Sequence, residues 1–189
     1  MDETDRTLLD SVDPDSNHFM DNTVDFCKYS MEDFYKCNID KAKSFNIMHN
    51  NSRSLLKEGR IDEYNILLDY IKNPFHILAF TETWLKPDNV DIVNFEGYDG
   101  SHVIRPTDDQ FDFKEKGGGI SIFIKESLQY KVREYLNVTL PYIETLFIEL
   151  TFNNKIYIIG VIYRVPNTNV HVFNETLNGI IEPIKIDMK

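Results

Sequence analysis

The chain is 189 residues long and 42% hydrophobic, with 13 Phe and 10 Tyr, a supply of large apolar side chains that builds one ordinary core and excludes a disordered chain. Its formal charge of −11 lacks the basic footprint usual in nucleic-acid binders. The longest apolar run, Ile156 to Tyr163, is too short to cross a bilayer, so no membrane partner is expected.

The charge is unevenly spread. Residues 1–43 hold 11 acidic and 5 basic side chains against 20 and 15 in residues 44–189. This marks 1–43 as an acidic, weakly ordered leader and 44–189 as a folded part whose mild charge excludes little. The opening MDETDRTLLD contains no apolar secretory segment, so an intracellular protein is expected, nuclear or cytoplasmic. A short amphipathic helix falls around Met31–Tyr35. Cys27 and Cys37 lack a nearby pair to complete a zinc site and read as reduced structural thiols.

From residue 44 the pattern alternates between two periods. Phe45 to His49 reads as a short strand that breaks at Asn50-Asn51-Ser52. Ile61, Tyr64, Leu67, Leu68 and Ile71 recur at helical spacing, and Asn73-Pro74 ends that helix. Phe75 to Phe80 is a strand apolar on both faces, followed by a polar, Gly- and Asp-rich loop to about residue 116. Ile120 to Ile124 is a strand entered through Gly117-Gly118-Gly119. These glycines precede a strand and lack a Lys-Ser/Thr ending, so they are not a nucleotide loop. Ile143–Thr151 and Lys155–Arg164 form a β-hairpin around Asn153-Asn154, residues that tolerate positive φ. After Pro166 a helix carries Phe173, Leu177, Ile180, Ile181 and Ile184 on one side, capped by Asn169 or Thr168. Hairpin plus strand–helix–strand elements predict an α/β or α+β sandwich.

Three polar residues stand at strand exits: Asn51, Glu82 and Tyr163. Strand ends on α/β scaffolds converge at one edge, where sites often lie. One carboxylate and one amide suit Mg²⁺, which takes oxygen ligands and commonly uses only one or two carboxylates plus substrate phosphate. A tyrosine hydroxyl beside them can donate to a phosphate oxygen. Taken singly, each has a plainer reading. Glu82 is a solvated loop start, Asn51 a turn residue, and Tyr163 a half-buried ring with its hydroxyl in water.

Four strings occur in order: NIMHNNSRSLLKEGRIDEYNILLDYIKNPFHILAFTETWL, EGYDGSHVIRP, KGGGISIFIKESL and VIYRVPNT. Over about residues 44–184 they resemble the endonuclease domain of LINE-type non-LTR retrotransposon proteins, which accompanies a reverse transcriptase. That domain is a branch of the endonuclease/exonuclease/phosphatase superfamily. The resemblance implies a two-sheet α/β (α+β) sandwich and an endonuclease dependent on Mg²⁺ or Mn²⁺. Its substrate would be DNA, with no small-molecule cofactor. It places the motif asparagine at the metal centre on Asn51, with the adjacent Asn50 leaving the register open by one position. The metal-ligand glutamate falls on Glu82, and the tyrosine against the scissile phosphate on Tyr163. Arg105 matches a family arginine before the glycine run, without an assigned role. The sequence departs from the family at Asn50, at Ser52 where an aliphatic residue is usual, and at Val165 where a proline is usual.

The family's Gly-Asp-Phe-Asn and Ser-Asp-His motifs occur nowhere in the 189 residues. By the resemblance, these carry the groups that hold the attacking water and complete the acid–base machinery. An incomplete sandwich, half an active site, an inactive chain and self-association through uncovered sheet are therefore expected. A non-catalytic domesticated remnant or interaction module is the alternative. An abasic-site endonuclease or phosphoester phosphatase of the same superfamily is the weaker one.

Overall fold

Ile77-Leu-Ala-Phe-Thr81 carries no charge and all of it is buried, which requires a strand covered on both faces. The computed structural model describes residues 44–72, 75–106 and 117–187, all within one compact unit, Ile39–Lys189. In it this strand, β2 (Ile77–Thr81), lies inside a four-stranded sheet of order β1-β2-β4-β3. β1 (Ile47–Asn51) pairs parallel to β2, reached through helix α1 (Arg60–Tyr70). β4 (Ile120–Lys125) is antiparallel to β2, and β3 (Tyr98–Val103) antiparallel to β4.

A second sheet is built on the hairpin β7 (Ile143–Phe152) and β8 (Lys155–Arg164), paired along their whole length. Asn153 and Asn154 turn it at φ 49° and 60°, the left-handed pair that matches the twist of two strands. β5 (Tyr130–Val132) and β6 (Val138–Leu140) share the other side of β7. Helix α2 (Val170–Asp187) follows. Asn169 Oδ1 accepts the His171 and Val172 amides at 2.9 and 3.4 Å, capping donors that a helix start leaves unpaired.

The period of two along each strand sorts these elements into four layers. Leu78, Phe80 and Phe123 face α1, where they pack with Tyr64, Leu68 and Phe95. Ile77, Ala79, Ile120, Ile122 and Ile124 face the second sheet and meet Leu146, Ile148, Leu150 and Val161. Ile143 and Phe147 turn outward to Ile180, with Phe173, Leu177 and Ile184 alongside. The order is α1, first sheet, second sheet, α2. Among the described residues no helix is long and apolar enough to cross a membrane.

The sequence reading needs correction at several places. β1 starts at Ile47 and runs through Asn51 rather than ending at His49, because parallel pairing with β2 carries on to Asn51↔Thr81. The supposed loop before residue 116 contains β3, whose Tyr-Asp-Gly-Ser-His-Val sequence has little strand propensity of its own but is ordered by pairing with β4. The short β5 and β6 are further additions. Residues 1–43, with Met31–Tyr35, Cys27 and Cys37, lie outside the described residues, as does Asn73-Pro74.

Burial favours the neutral ring at two histidines. His76 Nδ1 accepts the Asn46 amide at 3.1 Å, and His102 Nδ1 lies 2.8 Å from Ser121 Oγ, its partner across β3 and β4. Burial, helped by Lys125, holds the pKa of His76 below the ordinary value; burial does the same to His102 against the pull of Asp91 and Asp99. The unfolded chain then binds the extra protons, so both contributions to stability are present above about pH 6.5 and are lost as pH falls towards the folded values. NMR titration is expected to give both rings midpoints below about 6.5. A midpoint at or above that value for His76 would contradict its acceptor role.

Candidate active site

Because β1 and β2 are parallel and in register, they end side by side with Asn51 opposite Thr81. Asn51 falls on the face that Ile77, Ala79 and Thr81 turn to the second sheet. The other asparagine faces α1, where the Tyr64 hydroxyl donates to Asn50 Oδ1 at 2.8 Å. On the second sheet Tyr163 stands directly opposite Glu144, again on the inner face.

Beyond β2 the chain turns sharply. Glu82 and Trp84 adopt φ of 53° and 57°, a left-handed conformation that costs non-glycine residues of order 1–3 kcal/mol and persists only where surroundings over-determine it. Here they do. On one side, the Ser54 and Leu55 amides donate to the Glu82 and Thr83 carbonyls at 2.8 and 3.0 Å. On the other, the Thr83 and Trp84 amides donate to the Gly119 and Gly118 carbonyls at 3.2 and 3.0 Å. Ser52 is fully buried, and its hydroxyl lies 3.1 and 3.0 Å from the Thr81 and Glu82 carbonyl oxygens. An aliphatic side chain at that position could make neither bond.

The turn delivers the Glu82 carboxylate to the other two residues. Asn51 Nδ2 donates to Glu82 Oε1 at 3.1 Å, and the Tyr163 hydroxyl donates to the same oxygen at 2.8 Å. Asn51 is exposed and Tyr163 half-buried, so the cluster opens to solvent. Burial, then the bond to Glu82 and its charge, push the pKa of Tyr163 far up. Its hydroxyl therefore keeps its proton and remains a donor at neutral pH.

A carboxylate not singled out in the sequence lies just beneath. Glu144 is fully buried, because it lies on the inner face of β7 with Leu146 and Ile148, the face that the first sheet covers. Arg105 Nε donates to Glu144 Oε1 at 2.5 Å, and the Gly119 amide donates to Oε2 at 2.7 Å. Burial pushes the Glu144 pKa up, and the Arg105 charge and these two bonds pull it back. The available signal was a lone carboxylate inside Ile143-Glu-Thr-Leu-Phe-Ile, a run otherwise suited to a core.

Among solved structures the chain is similar to the endonuclease domain of TRAS1, a telomere-specific non-LTR retrotransposon. The TM-score is 0.52 and the identity 12%, over 75% of this chain and 54% of that one. It is also similar to a humanised D. rerio TDP2 with 14 mutations, at TM-score 0.50 and 12% identity, over 75% of this chain and 59% of that one. The chain has the endonuclease/exonuclease/phosphatase fold. It spans 54% and 59% of the lengths of these two structures. No family model and no curated protein matches its sequence. Within the endonuclease/exonuclease/phosphatase fold, the Asn51–Glu82–Tyr163 cluster occupies one end of the gap between the two sheets, at the exits of β1, β2 and β8.

Proposed function

We propose that residues 44–189 are the N-terminal part of a divalent-metal-dependent nuclease domain that cleaves phosphodiesters in DNA, of the non-LTR retrotransposon type, following residues 1–43 as a leader. The observation that carries this reading is the convergence of Asn51 and Tyr163 on one oxygen of Glu82. Three groups from two sheets meet there, on a turn held in a strained conformation, and storage of strain is characteristic of functional positions.

The donor set fits a hard cation. Among the described residues no group of three or more His, Cys, Asp or Glu side chains that could hold an ion occurs, which argues against zinc or an all-carboxylate calcium cage. One carboxylate and one amide carbonyl remain, a set suited to Mg²⁺ or Mn²⁺ completed by water and substrate phosphate. The Asn51 amide faces an anion in the described arrangement, so its nitrogen points inward. Rotation of that amide would present Oδ1 beside Glu82. The ion would neutralise charge developing on the phosphate. Tyr163, kept protonated, would donate to a phosphate oxygen.

Binding of Mn²⁺ to the 189-residue chain, followed by the loss of its free-ion EPR signal, tests this. Glu82→Ala is expected to weaken binding by at least about tenfold, with Asn51→Ala weaker in effect and Tyr163→Phe nearly silent. Unchanged Mn²⁺ binding in Glu82→Ala would overturn the assignment. The second reading is a non-catalytic remnant that keeps the fold for an interaction role. That reading allows weak metal binding but no cleavage when the missing groups are supplied.

A further inference from the structure

Resting on the reading of Glu82 as a metal ligand, we infer that the buried Arg105–Glu144 pair is a positioning clamp that holds the Glu82–Trp84 turn in place through Gly118 and Gly119. The path is a continuous set of bonds. Glu144 receives Arg105 Nε on one oxygen and the Gly119 amide on the other. The carbonyls of Gly118 and Gly119 then receive the Trp84 and Thr83 amides, the two residues directly after Glu82. On its own strand pair, Glu144 stands opposite Tyr163, whose hydroxyl reaches Glu82 from the other sheet. The pair therefore bonds the loop that holds the turn and sits on the same strand pair as Tyr163.

The glycines fit this role sterically. Gly118 and Gly119 have φ of 72° and 82°, where L side chains are strained. A Cβ on Gly118 would collide with the Arg105 guanidinium, and one on Gly119 would lie 2.6 Å from Thr83 Oγ1. The guanidinium packs closely against Gly118 in the loop that bonds the turn. A packing role alone would be filled as well by an apolar pair, since a buried ion pair is seldom retained for net stability. The specific gain here is direction: two acceptor oxygens fix one amide and one guanidinium at once.

The test is amide hydrogen exchange on the 189-residue chain, read with Mn²⁺ binding. Glu144→Gln keeps the side-chain volume but offers one acceptor where two are used. Exchange at the Thr83 and Trp84 amides is expected to accelerate by about tenfold or more, with the β2–β4 ladder amides unchanged. Mn²⁺ affinity should fall by about 10- to 100-fold, the usual effect of losing a group that orients a metal ligand. Arg105→Lys, which keeps the charge on Glu144 company without the guanidinium plane, should give a smaller acceleration at the same two amides, and it replaces Glu144→Gln should that variant not fold. Unchanged exchange at Thr83 and Trp84, or an equal rise across the whole ladder, would overturn the clamp. Failure of the unaltered chain to bind Mn²⁺ would sink the metal reading, and amide exchange would still decide the clamp.

Discussion

Supercoiled plasmid incubated with the 189-residue chain in Mg²⁺ is expected to stay uncut, and to be nicked once the chain is joined to a segment carrying the Gly-Asp-Phe-Asn and Ser-Asp-His motifs. The Glu82 cluster supplies one carboxylate, one amide and one phenolic donor. Neither of those strings is present in the sequence, and by family resemblance they orient the attacking water and complete the proton transfer. Losing a single preorganised charge-stabilising donor costs on the order of 10²- to 10³-fold, and losing several costs more, though not additively. That deficit takes a slow plasmid assay below detection. In the joined protein, Glu82→Ala is expected to remove nicking, by on the order of 10³-fold or more, because both of the other groups bond to its carboxylate. Cleavage by the 189 residues alone that vanishes in Glu82→Ala would show that the chain needs no second set of groups. Undiminished cleavage in the joined Glu82→Ala protein would remove Glu82 from the chemistry.

The second large effect is on stability. Phe80→Ala is expected to destabilise the chain by about 3–5 kcal/mol, a large part of the roughly 5–15 kcal/mol that holds a domain folded. Phe80 is fully buried at the centre of an aromatic set. Its ring stacks on Phe95 at 5.6 Å and meets Tyr64 and Phe123 edge-on at 4.9 and 5.9 Å. Such pairs add to the burial itself, and removing the ring leaves a cavity between two layers of rigid strand and helix that cannot collapse to fill it. Urea unfolding followed by far-UV circular dichroism measures the loss; a change below about 1 kcal/mol would mean that the layer against α1 is loosely packed. The effect should also reach β1, since Tyr64 holds Asn50, the residue before Asn51.

How far the sequence could be read depended on how much of each signal was local. The β7–β8 hairpin was legible because Asn153-Asn154 sits between two apolar runs, and positive φ at adjacent residues is a local requirement. Glu82 was legible because a carboxylate at the end of a strand apolar on both faces is out of place. Asn50 and Asn51 could not be told apart by composition. Their difference is one of face, set by pairing with Phe80 and Thr81. β3 was missed because its order comes from β4. Glu144 lies outside the sequence reading because a charge in a strand normally marks a solvent face, and only the stacking of the first sheet on β7 turns that face inward. Ser52 reads in sequence as a departure from the family pattern, and only the fold brings its hydroxyl against the carbonyls of the turn.

Trp84 is the only tryptophan in the sequence, and it stands two residues from Glu82 in the same strained turn, its amide tied to Gly118. The chain's intrinsic indole emission therefore comes from a single, half-buried ring beside the cluster rather than from an average over the molecule. Rearrangement of the turn changes that emission while far-UV ellipticity stays constant, whereas global unfolding moves both. The protein thus carries its own label-free optical reporter, placed where local events at the cluster can be told apart from loss of the fold.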